Sequence, residues 1–142
     1  MNISEITPDL ILAEMLKEKV VINVSATKTH TLPIYGIGEQ PNKGLADEFI
    51  AIGINGNIAS RTEPIGLCFG YIAMVIFCKS NSDNTIKRNR IVAIIDKCQA
   101  LISRKAHKGF FFEFDRTNII TPTTNRIADG YSVTILNIKW HS

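Results

Sequence analysis

Two acidic side chains, Glu113 and Asp115, stand two residues apart in a segment that is predicted to be a strand. Residues at this spacing share one face of a strand, and a pair of carboxylates can perform acid–base catalysis. The alternating positions of the same segment carry Phe110, Phe112 and Phe114. Because this is the pattern of a strand with one buried and one wet face, we interpret the acidic pair as the solvent side of the strand. No catalytic residue is assigned.

The side chains that most often bind metals or act as nucleophiles are few: His30, His107, His141, Cys68, Cys78 and Cys98. None of the histidines forms a short-spaced pair with a cysteine or another histidine, whereas zinc sites draw their ligands from such pairs. The cysteines are odd in number and lie in apolar surroundings, so we predict buried, reduced thiols and no disulfide framework. A Cys–His nucleophile pair stays open, although the apolar surroundings of Cys98 would penalise a thiolate.

The glycines at positions 36 and 38 resemble part of a phosphate-binding loop. Gly44 follows Gly38 only after Pro41, and no helix is predicted to begin there. Neither the dinucleotide fingerprint nor the P-loop spacing is met. We therefore predict a turn at this place, and no cofactor.

A basic stripe is the one charge pattern of note. Arg90, Lys97 and Arg104 are separated by seven residues each and fall along the edge of a helical apolar face. Such a stripe can bind phosphate or acidic groups on a neighbouring subunit. We favour the simpler interpretation, a solvated flank whose alkyl stems cover the edge of the core.

The elements that would position these residues are two helices and several strands. Helices are predicted over residues 8–17 and 85–105, and strands over 20–24, 32–37, 48–54, 67–79, 110–114 and 131–140. Residues 38–45 and 58–66 are predicted to be loops, and 121–125 a polar stretch. Strands on either side of one long helix, without regular βαβ alternation, predict an α+β fold: an antiparallel or mixed sheet with the long helix and the short N-terminal helix packed on it.

Composition limits the classes of protein to which the chain can belong. Its 142 residues, 45% hydrophobic and 20% charged, predict a single globular domain over residues 1–142. No apolar run suffices to cross a bilayer, and the N-terminus lacks the features of a signal peptide. We expect the protein to act where it is synthesised. The net charge of +3 permits an acidic or nucleic-acid partner without requiring one.

The central strand, residues 67–79, is apolar on both faces. A strand with one wet face would alternate apolar with polar residues, so this strand must be covered on both sides. The covering layer could come from the same chain or from a neighbouring subunit. For the second case, we assign a subunit interface to Tyr35, Phe69, Tyr71, Val75 and Phe77.

The order of these elements resembles that of the tail-completion or tail-terminator proteins of tailed bacteriophages, small ring-forming proteins at the head–tail junction. The segments that carry the resemblance are residues 8–16, 32–36, 70–79, 90–104 and 130–136. They correspond to a short first helix, the opening of a strand, the long central strand, the long helix and the closing strand. The resemblance covers most of the chain, and it consists of element order rather than a unique motif.

The resemblance implies a structural protein of the virion neck or tail, made in the host bacterial cytoplasm and bound to no membrane. It implies a ring of identical subunits, a hexamer or alternatively a dodecamer, that joins neighbouring neck or tail proteins around a channel for DNA. The loops around Lys43 and Arg61 would reach those neighbours or line the channel. The resemblance supplies no catalytic residue, metal or cofactor.

Two rival hypotheses come from other classes of protein. One is a small ligand-binding or enzymatic domain, which would need convergent polar groups in a pocket between the long helix and the sheet. The other is a nucleic-acid-binding module that uses Arg90, Lys97 and Arg104.

Overall fold

The structure is a computed structural model that describes residues 8–37, 39, 41, 43–54, 69–81, 85–102, 105–125 and 130–141. Its elements, in chain order, are α1 (Pro8–Leu16), β1 (Val21–Asn23), β2 (Thr29–Thr31), β3 (Ile34–Gly36), β4 (Glu48–Ile54), β5 (Phe69–Lys79), α2 (Arg88–Ile102), β6 (Lys105–His107), β7 (Phe110–Asn125) and β8 (Tyr131–His141). The predicted α+β class, with a mixed sheet and two helices, is confirmed.

The main sheet has six strands in the order β3-β4-β5-β8-β7-β6. All of its neighbouring pairs are antiparallel except β3 and β4, which run parallel. The strands β1 and β2 form a separate antiparallel hairpin. The long strands β5 and β8 pair along their whole length, from Phe69 opposite His141 to Lys79 opposite Tyr131. They form the middle of the sheet, and their register decides which side chains share a face.

Both helices cover one face of the sheet, which we call the covered face. The helix α2 presents its apolar stripe to the core, with Ile91, Ile94, Ile95, Cys98 and Ile102 buried. These residues recur at helical spacing, so one side of the helix is hidden and the other remains in water. The helix α1 adds Leu12 and Leu16, both 0% exposed, to the same core.

The side chains of the sheet that meet the helices are almost wholly buried. In β5 these are Ile72, Met74, Ile76 and Cys78, each 0% exposed. Neighbouring strands contribute to the same core, with Ile50, Leu136 and Ile138 among the fully buried residues. Burying a side chain of this size contributes about 1.5–3 kcal/mol, so this face supplies most of the apolar stabilisation.

Several predicted boundaries are wrong. The strand β7 runs to Asn125, beyond its predicted end at residue 114 and through the predicted polar stretch 121–125. The helix α2 is shorter than predicted, and the short strands β2 and β6 were not predicted. The predicted loop 58–66 lies outside the described residues. Pairing with β8 explains the length of β7, because a neighbouring strand can hold a polar segment extended even though its own pattern does not favour a strand.

The connection between β6 and β7 shows why a short strand precedes the Phe-rich segment. His107 pairs with Phe110, and Lys108 and Gly109, both at positive φ, close the turn between them. Two consecutive residues at positive φ are the requirement of a type I′ hairpin turn. The ammonium of Lys108 then donates to the carboxylate oxygens of Glu14, at 2.8 and 2.9 Å, and joins this turn to α1.

Candidate functional site

The face of the sheet opposite the helices, which we call the second face, is closed at one end by aromatic rings. Phe49 stacks on Phe77, with ring centroids 4.6 Å apart and planes 8° from parallel. The rings of Tyr131 and Tyr35 contact the Phe49 ring edge-on, with centroid distances of 5.5 and 5.9 Å. The hydroxyl of Tyr131 donates a hydrogen bond to the carbonyl of Ala46 at 2.7 Å. This bond holds the loop before β4 against the aromatic cluster.

The other end of the second face is less covered. Tyr71 is 46% exposed, while Val75 and Ile135 pack against the aromatic cluster and are partly exposed. The strand register places Val75 beside Ile135, and Tyr71 beside Lys139, which in turn is opposite Glu113. We call these five residues the open patch: Tyr71, Val75, Ile135, Lys139 and Glu113.

The open patch combines apolar surface with both signs of charge. Its apolar side chains lie on the central strands of the sheet, where regular secondary structure holds their backbone in place. Apolar surface at such a position is typical of protein–protein contacts. The cross-strand row of Tyr71, Lys139 and Glu113 borders it with polar groups, as at the rim of an interface.

The structure divides the interface residues predicted from the sequence. Tyr71 and Val75 belong to the open patch, whereas Phe77 is only 6% exposed and lies in the aromatic cluster with the partly buried Tyr35. Phe69 begins β5 on the same face, and its side chain lies outside what the structure describes. The assignment missed Ile135 and Lys139. The alternation of residues in the last strand could have found them, but only the register shows which strand is beside β5.

Of the predicted basic stripe, the structure describes Arg90 and Lys97, and Arg90 forms an ion pair. Arg90 Nε lies 2.6 Å from Glu48 Oε1, and the Glu48 side chain is 1% exposed. The two groups face each other without the alignment of a hydrogen bond, so the contact is an ion pair. Lys97 is exposed on α2 and Lys43 is exposed in the loop before β4, while Arg61 and Arg104 lie outside the described residues. Arg90 therefore compensates a buried carboxylate, with a quarter of its side chain still exposed.

The buried Glu48 carboxylate also contacts the β1–β2 hairpin. His30 Nε2 lies 3.5 Å from Glu48 Oε2 and 3.4 Å from the Glu48 carbonyl oxygen. One carboxylate thus contacts both β2 and the first turn of α2. Because a buried charge is costly unless it is paired, this cluster fixes how the hairpin and α2 sit on the sheet.

The thiols of Cys78 and Cys98 lie in surroundings that disfavour ionisation, and Cys68 lies outside the described residues. Burial, followed by the charge of Glu48, raises the pKa of Cys78 to about 11, against smaller opposing contributions from Lys87 and Arg90. Burial raises the pKa of Cys98 to about 12. A reactive cysteine needs a lowered pKa and access to solvent, so neither thiol has the properties of a catalytic nucleophile.

Two depressions on the described surface lie beside the ends of the helices. One, of about 430 Å³, is lined by Ile86, Lys87, Arg88, Asn89 and Arg90, at the start of α2. Another, of about 270 Å³, is lined by Lys17, Glu18, Thr31, Leu32, Pro33 and Ile34, between the end of α1 and β3. Within the described ranges, no three histidine, cysteine or carboxylate side chains are grouped to hold a metal ion.

Comparisons with known proteins do not extend this description. No protein-family model and no curated protein matches the chain. No helix in the described part of the chain is long and apolar enough to span a membrane.

Proposed function

We propose that this protein is a structural subunit that assembles with copies of itself through the open patch. The observation that carries the proposal is the unequal coverage of β5. Its covered face has Ile72, Met74 and Ile76 at 0% exposure, while Tyr71 on the second face is 46% exposed. Exposed apolar surface at the centre of a sheet is stabilised when another protein layer excludes water from it.

We assign the subunit to the neck or tail of a tailed bacteriophage. The support is the resemblance in element order: a short first helix, a long central strand, a long helix and a long closing strand occur here as α1, β5, α2 and β8. In this assignment the chain forms a ring, contacts the neighbouring rings and encloses a channel for DNA.

The proposal is tested by the mass of the purified protein in solution. Light scattering after size exclusion should give a multiple of the 15.8 kDa chain mass, and negative-stain images should show closed rings. Val75→Arg places a charged side chain in the open patch and should shift the protein to the monomer. A wild-type chain that stays monomeric across the accessible concentration range would refute self-assembly.

The matched control is Leu10→Arg. Leu10 is 58% exposed on α1, within the layer that covers the opposite face of the sheet. It receives the same substitution as Val75 but lies outside the open patch, so assembly should be unchanged. Equal loss of assembly in both variants would mean that added charge, rather than the patch, disrupts the oligomer.

The assignment to a bacteriophage has a separate test. An antibody against the chain should label tailed particles at the junction of head and tail. Labelling of another part of the particle, or none, would remove the assignment to the neck and leave the self-assembly proposal standing.

A further inference from the structure

We draw no further inference here: the strongest candidate, the depression of about 430 Å³ at the start of α2 where Lys87, Arg88 and Arg90 come together, is formed by the N-terminal turn of a helix, and no second feature of the described residues points to an anion bound there.

Discussion

The two faces of β5 are built from similar apolar residues but have different surroundings. On the covered face, Ile72, Met74 and Ile76 are completely buried under the helices. On the second face, Phe77 is buried among aromatic rings, whereas Val75 is partly exposed and Tyr71 is 46% exposed. The side chains of β5 are therefore fully buried on the covered face and only partly buried on the second face.

This difference shows that hydrophobicity alone does not identify the surface available for assembly. Tyr71 and Phe77 are both aromatic residues on the same face of the same strand. Phe77 is buried where Phe49 lies beside it and stacks on it, whereas Tyr71 lies beside Lys139 and is exposed. The free energy available to a partner depends on apolar area that the monomer leaves in water.

The largest expected difference between the two faces is in stability, after truncation of adjacent β5 residues that lie on opposite faces. Ile76→Ala should lower the free energy of unfolding by about 3–4 kcal/mol, because it leaves a cavity in the core between the helices and the sheet. Val75→Ala should lower it by about 1 kcal/mol, because the side chain is already partly in water. Urea titrations of dilute protein measure both. Equal losses would mean that the second face is as well covered as the first.

A smaller effect is expected from removing charges on each face. Arg90→Ala should destabilise the protein by about 2–3 kcal/mol, because it leaves the buried Glu48 carboxylate without its closest cation. Adding Glu48→Gln to Arg90→Ala should recover part of that loss. On the open patch, Glu113→Gln should change the stability by less than about 0.5 kcal/mol, since Glu113 is exposed. Thermal or urea unfolding of the four proteins compares them, and a large loss for Glu113→Gln would contradict the open character of the patch.

The last effect appears only at alkaline pH and tests whether the covered face excludes water. Burial and Glu48 raise the pKa of Cys78 to about 11 from 9.0. The thiol therefore ionises more readily in the unfolded chain, so its contribution to stability is complete below pH 9 and is lost as the pH rises to 11. Cys78→Ala should lose less stability than the wild type between these pH values, as measured by urea unfolding. Parallel pH profiles would mean that water reaches the thiol.

The sequence was sufficient where a pattern is local. The apolar stripe of α2, the long β5 and the bounds of β4 follow from periodicity and from β-branched residues, and the structure confirms them. The sequence was insufficient where pairing between strands decides the secondary structure. The segment 121–125 is strand because β8 lies beside it, with Thr123 opposite Val133, and no signal within those five residues indicates this.

The candidate site shows the same limit. The sequence predicted that β5 needs cover on both faces and selected Tyr71 and Val75, which the structure leaves exposed or partly exposed. It also selected Phe77, which the structure buries, and it placed Arg90 in a basic stripe although the guanidinium pairs with Glu48. Both outcomes depend on residues distant in the chain, since Phe49 and Glu48 both belong to β4.

By itself, the sequence determined the α+β class, the amphipathic α2 and a central strand that is apolar on both faces, because these depend on the spacing of residues within each segment. The tertiary structure decided which half of the second face is closed, which cation neutralises Glu48 and which strand is beside β5. The physical reason is that burial and ion pairing depend on distances between segments, and sheet order and register set those distances.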